Sequence, residues 1–79
     1  MNIAVQLFGP LAEQVGRSRI DLTLSGSTVG DVLAALAVAS PSLRIDGSVR
    51  FAVNTEYAER GAPVREGDVV SLIPPVGGG

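Results

Sequence analysis

The residues with the most chemical promise are the last six, Pro74-Pro75-Val76-Gly77-Gly78-Gly79. Elsewhere the side chains offer little, because the 79-residue chain has no Cys, His, Trp or Lys. Its serines have neither histidine nor lysine to take their protons, so a nucleophilic site cannot be assembled in the usual way. The same residue types are missing for a zinc site, and the acidic residues are not spaced as a calcium loop. No helix follows the glycine run, so it is not a phosphate-cradling loop. The Glu56/Glu59 pair reads as part of a solvated face rather than as an acid/base couple. The reactive group that remains is the terminal carboxylate of Gly79.

Glycine has no Cβ, so a run of it enters channels too narrow for other residues. Pro74 and Pro75 lack N–H donors and bias the chain toward extended geometry. Fully extended, the segment from Pro74 to Gly79 reaches roughly 20 Å. A carboxylate is a poor electrophile, but joining it to AMP supplies a good leaving group. Attack by a persulfide leads to a thiocarboxylate, and attack by an amine leads to a protein conjugate. Both schemes need a slender tail that can visit two enzymes. The same composition also suits an inert linker.

Composition bounds the rest. The length fits one small domain, expected over residues 1–73 with an extended tail over 74–79. Without cysteine there are no disulfides, but 46% hydrophobic residues suffice for an aliphatic core. The net charge is −2 and the basic residues are six scattered arginines, which argues against nucleic acid. Apolar runs are too short for a membrane span. Met1-Asn2 leads into a strand pattern with no charged leader or cleavage site, so a cytoplasmic location is expected. No internal repeat or internal linker is visible.

Hydrophobic periodicity places the elements. Ile3 to Phe8 alternates as a strand, with Ile3, Val5 and Leu7 on the core face and Phe8 on the outer face. Gly9-Pro10 breaks it, and Leu11 to Val15 forms a helical turn ended by Gly16. Ser18 to Leu24 is a second strand with one buried and one wet face. Thr28 is an N-cap, with Asp31 in the first turn of a helix from Val29 to about Ala39. Val29, Val32, Leu33, Leu36 and Ala37 form its apolar stripe, and Ser40-Pro41 stops it. Val49 to Asn54 is the third main strand, Ala62-Pro63-Val64 a short edge segment, Arg65 to Asp68 a tight turn, and Val69 to Ile73 the last strand.

The order β-β-α-β-β, with a minor element before the end, has a simple solution. The first two strands make a hairpin. The helix crosses over so that the last strand lies beside the first and parallel to it. One mixed sheet packed on one main helix is the α+β β-grasp, or ubiquitin-like, arrangement. Alternation then puts Phe8 and Ile73 on the outer face beside the exit of a flexible glycine-rich tail. Tyr57 is expected to join them from the loop after the third strand. Such an apolar patch marks a docking surface, although scattered surface apolar residues are also ordinary.

The residues resemble a known family over essentially the whole chain. The resemblance rests on Leu7-Phe8-Gly9-Pro10-Leu11-Ala12-Glu13 and Thr28-Val29-Gly30-Asp31-Val32-Leu33. It continues through Arg50-Phe51-Ala52-Val53-Asn54-Thr55-Glu56-Tyr57 and Arg65-Glu66-Gly67-Asp68-Val69-Val70, and ends with Leu72-Ile73-Pro74-Pro75-Val76-Gly77-Gly78-Gly79. The sequence is similar to the small, sulfur-carrying subunit of molybdopterin synthase, the MoaD type. The resemblance implies a chain with no bound cofactor and no catalytic side chains of its own. An E1-like adenylating enzyme would activate Gly79 with ATP, and a sulfurtransferase or cysteine desulfurase would supply the sulfur. The resulting thiocarboxylate would enter the large synthase subunit, in a heterotetramer of two large and two small subunits, and donate sulfur to cyclic pyranopterin monophosphate. Phe8, Tyr57 and Ile73 would contact that large subunit. The Val-Gly-Gly-Gly ending also resembles the thiamine-pathway sulfur carrier. A tungsten-cofactor or other thiocarboxylate carrier, a ubiquitin-like protein modifier and a passive β-grasp module stay open as alternatives.

Overall fold

The computed structural model describes residues 1–75. Its elements are β1 (Asn2–Leu7), α1 (Pro10–Val15), β2 (Arg19–Thr23), α2 (Val29–Ala39), β3 (Arg50–Val53), β4 (Glu56–Ala58) and β5 (Val69–Ile73). The strands form one sheet in the order β2-β1-β5-β3-β4. β1 is antiparallel to β2 and parallel to β5, and β3 is antiparallel to both β5 and β4. Parallel neighbours need a crossover connection, and the segment containing α2 provides it. This is the β-grasp arrangement that the alternation predicts.

One face of the sheet makes the core with α2. Ile3, Val5 and Leu7 of β1, Ile20 and Leu22 of β2, Phe51 of β3 and Val70 and Leu72 of β5 all point to that side and are buried. Val29, Val32, Leu33 and Leu36 meet them from the helix. Ala37, expected in the same stripe, is exposed. It lies about 80° around the helix from Val29, on the flank of the stripe, where its one methyl group cannot reach the sheet.

The start of α2 is tied down twice. Thr28 has extended backbone angles and forms a capping box with Asp31. The Asp31 N–H donates to Thr28 Oγ1 at 3.2 Å, while the Asp31 carboxylate accepts from the Ser27 and Thr28 N–H groups at 2.9 and 3.1 Å. The next two helical N–H groups, of Val29 and Gly30, donate to the carbonyls of Ala62 and Arg60 at 3.0 and 2.8 Å. The β4–β5 connection thus satisfies donors that a helix N-terminus otherwise leaves open.

That connection corrects two expectations. Ala62-Pro63-Val64 is not an edge strand but a loop with a single bridge, Thr28 to Pro63. Val64 is buried there as an anchor, and its N–H donates to the Ser27 carbonyl at 2.9 Å. The edge strand is instead β4, which follows β3 after the two-residue turn Asn54-Thr55. Asn54 takes φ 57°, in the left-handed region, which asparagine tolerates better than most residues. Its side chain is fixed by accepting the Val69 N–H at 3.1 Å. Tyr57 consequently sits in a strand rather than in a loop.

Candidate functional site at the tail exit

The tail leaves the fold from the end of β5, a central strand. In the β1–β5 register Leu7 pairs with Leu72, so the next position along each strand brings Phe8 level with Ile73. On the other side of β5, Ile73 pairs with Arg50 of β3. Residues on neighbouring strands at one level share a face, so Phe8, Ile73 and Arg50 form a row on the face opposite α2. The adjoining row on that face is Arg19, Gln6, Ser71, Ala52 and Tyr57, taken from β2 through to β4.

The structure therefore brings Phe8 and Ile73 together as expected. It places Tyr57 on the same face but at the edge, with Ala52 and Ser71 between. Phe8 lies one residue beyond β1 and is 46% exposed, Tyr57 is 75% exposed, and Ile73 is half-buried. The centre of this face carries mainly small or polar side chains, with the half-buried Val69 beside Ala4 at the end away from the tail. Ala4, Ala52 and Ser71 are nevertheless buried, because short side chains on inner strands lie below their taller neighbours. The open face is a shallow floor with aromatic and aliphatic groups standing toward the tail and the β4 edge.

Gly9 makes the exit possible. It takes φ 53° where the chain turns from β1 into α1, a conformation side-chain-bearing residues rarely adopt. A Cβ there would lie 3.7 Å from the Pro74 ring, so the turn and the first tail residue are close neighbours. Two charged residues that sequence reasoning did not single out also stand here. Arg50 and Arg60 line an open cleft of about 1060 Å³ that reaches Pro75 and Tyr57. The Arg60 guanidinium lies 5.3 Å from the centre of the Phe51 ring, a cation–π distance that restrains it. Arg50 stands on the open face by its pairing with Ile73, whereas Arg60 comes from a loop whose path no local pattern reveals.

Asp46 also lines this cleft. Its carboxyl is held below its ordinary pKa by the hydroxyl of Ser48 and then by the Ser48 N–H at 2.8 Å. Asp31 is held low in the same sense, by the Ser27 N–H first and then by the Thr28 hydroxyl and N–H. Both are stable anions with structural partners. Among the described residues no cluster of His, Cys, Asp or Glu could hold a metal ion, and no helix is long and apolar enough to cross a membrane. Pro74 and Pro75 are described. Val76, Gly77, Gly78 and Gly79 lie outside the described residues.

A β-grasp sheet with one open face, leading into a Pro-Pro-Val-Gly-Gly-Gly ending, defines a ubiquitin-like carrier. Residues 5–79 match the ThiS family, and the chain belongs to that family of ThiS/MoaD-type ubiquitin-like sulfur carriers. It is 37% identical to small archaeal modifier protein 1 of Haloferax volcanii, over 94% of this chain and 97% of that protein. The crystal structure of that relative superposes with a TM-score of 0.89 at 31% identity, covering 100% of both chains. The chain is also 36% identical to the molybdopterin synthase sulfur carrier subunit of Arabidopsis thaliana, over 100% of this chain and 84% of that protein. A complex of subunits 1 and 2 of the molybdopterin-converting factor from Helicobacter pylori contains a chain with TM-score 0.72 and 26% identity, again covering 100% of both.

Proposed function

We propose that this chain is the sulfur carrier of a molybdopterin synthase, with the Gly79 carboxylate as the group that is loaded. The observation that carries the reading is the position of the exit. The chain leaves the central strand β5 through Pro74-Pro75, beside Phe8 and Ile73 and at the mouth of the Arg50/Arg60 cleft. A partner docked on the open face would meet the start of the tail at the rim of its own active site. The family match runs through residue 79, so the glycine ending is part of the likeness.

In this reading the Gly79 carboxylate attacks the α-phosphorus of ATP on an E1-like enzyme and releases pyrophosphate. The terminal sulfur of a persulfide, supplied by a sulfurtransferase or cysteine desulfurase, then attacks the acyl carbon and expels AMP. A second thiol cleaves the acyl disulfide and leaves the thiocarboxylate. That sulfur attacks cyclic pyranopterin monophosphate within the large synthase subunit, whose side chains perform the catalysis, and water then cleaves the acyl–sulfur bond, leaving the sulfur on the pterin and returning the Gly79 carboxylate. The carrier's own residues position: Phe8, Ile73 and Tyr57 dock the fold, and Pro74 and Pro75 aim the tail.

The test is reconstitution with the large subunit. Deleting Gly78 and Gly79 together, so that no diglycine end remains, is expected to abolish sulfur transfer to the pterin while leaving the complex intact by sedimentation. Transfer by the deleted chain would refute the reading. A second reading, conjugation of Gly79 to amines of other proteins, is favoured by the likeness to the archaeal modifier protein. It predicts lysine-linked conjugates when the chain is incubated with the adenylating enzyme and cell extract, each keeping the segment from Glu66 to Gly79 after trypsin, because Arg65 is the last basic residue.

A further inference from the structure

The sheet has a second accessible feature, distant in the strand order from β4. Among the described residues β2 is the opposite edge strand and pairs only with β1. The Leu24 N–H donates to the Met1 carbonyl and the Leu7 N–H to the Ser18 carbonyl. In an antiparallel pair, hydrogen-bonded and non-hydrogen-bonded positions alternate. Ser18, Ile20, Leu22 and Leu24 therefore turn their backbone groups toward β1. The Ala4 N–H donates away from β2, to the Asp68 carbonyl at 3.1 Å, which fixes the same phase independently. Arg19, Asp21 and Thr23 consequently present their N–H and C=O groups outward, at the spacing of a strand's hydrogen-bonding ladder.

Beside this edge, on the helix side, lies a groove of about 600 Å³ between β2 and α2. Its apolar walls are Leu22, Leu24, Ala35 and Val38, and Val38 is 82% exposed. Among the described residues Asp31 is the one charged residue lining it, at the end where β2 runs into Ser25-Gly26. An unpaired backbone ladder beside an apolar trough matches an incoming strand, whose alternate side chains point to the two faces.

We propose that this groove receives an extended segment of a partner protein as a sixth strand, antiparallel to β2. Alternate apolar side chains of that segment seat against Leu24, Ala35 and Val38, and a basic residue at its N-terminal end meets Asp31. A second copy of this chain is a poorer occupant, because its β2 turns Ile20 and Leu22 into its own core and leaves only the half-buried Leu24 to offer the groove. Asp31 remains ionised under its hydrogen bonds to Ser27 and Thr28, so the charge is present at neutral pH. The proposal does not depend on the fate of Gly79.

The test uses the full chain and the blocked peptide Lys-Val-Thr-Val-Ser-Ile-Thr, followed by amide exchange in solution NMR. Binding should slow exchange at the amides of Arg19, Asp21 and Thr23, with little change at Ile20 and Leu22, which are already bonded to β1. Val38→Glu should weaken binding roughly tenfold or more, since it removes one apolar wall and adds a like charge to Asp31. The peptide with its apolar residues made contiguous should bind correspondingly weakly. No binding at millimolar peptide, or protection confined to Phe8, Tyr57 and Ile73, would overturn the proposal. So would edge protection that appears without peptide as the chain self-associates. Because Val38 is exposed, the Glu variant is expected to fold, and circular dichroism checks this directly.

Discussion

The two faces of the sheet follow opposite rules. The face under α2 is filled with branched aliphatics, and Val5, Leu7, Val70 and Leu72 are among its most deeply buried residues. Apart from the half-buried Val69, the open face keeps its inner positions small or polar, with Ala4, Gln6, Ala52 and Ser71, and carries its larger apolar groups at Phe8, Ile73 and Tyr57. One face holds the core that folds the chain, and the other is, on the proposed function, the surface a partner lies against beside the tail. The division teaches that the core and the open surface occupy alternate residues of the same strands, so they can be altered separately.

The strongest way to break the comparison is to damage the covered face. Leu36→Ala or Leu72→Ala removes a fully buried side chain, and urea unfolding is expected to show a loss of about 2–5 kcal/mol. Partner affinity per folded molecule should be unchanged. The reverse experiment sharpens it. Phe8→Asp combined with Tyr57→Ala should leave stability within about 0.5 kcal/mol of the parent. It should also weaken binding to the large synthase subunit by about 2 kcal/mol, roughly thirtyfold, as measured by calorimetry. A variant pair in which both faces moved both quantities would dissolve the distinction.

Smaller effects test what holds α2 over its face. Thr28→Ala removes the hydroxyl that accepts the Asp31 N–H and should cost about 1 kcal/mol in denaturant unfolding. Gly26→Ala should disturb the same cap, because a Cβ there would collide with the Asp31 side chain. The smallest expected effect is that of acid. Asp31 and Asp46 both titrate below their ordinary value in the folded chain. Below the ordinary carboxylate pKa the unfolded chain therefore binds more protons than the folded one. Their contribution is complete above about pH 4 and is lost as pH falls through the folded values. Asp31→Asn should flatten that part of the stability–pH curve, followed by thermal melts across the acid range.

Much of this architecture was legible because the covered face imposes a clear period. Ile3/Val5/Leu7 and Ile20/Leu22 alternate without interruption, and Thr28 and Asp31 mark the helix start by chemistry alone. The last strand, Val69 to Ile73, was readable to its ends. What escaped the sequence lacked a local signal. Glu56-Tyr57-Ala58 is too short to show a period, so β4 was read as loop and Tyr57 was placed off the sheet. Ala62-Pro63-Val64 reads as a short edge segment because an edge tolerates proline, yet it is a loop in which Val64 is buried and bonded across to Ser27 at the helix start. The burial of Ala4, Ala52 and Ser71 on the open face reflects neighbours on other strands, which alternation within one strand cannot report. At the tail exit, the juxtaposition of Phe8 and Ile73 followed from the parallel pairing of β1 and β5. The approach of Arg60 to the same cleft depends on a loop path that only the structure reveals.

The central claim concerns Gly79, and the most direct measurement is the intact mass of the chain after incubation with its adenylating enzyme, ATP and a persulfide donor. The account predicts a gain matching the exchange of one oxygen for sulfur, localised by fragmentation to Gly79. An unchanged mass, with the same enzymes shown active on an established carrier, would contradict it.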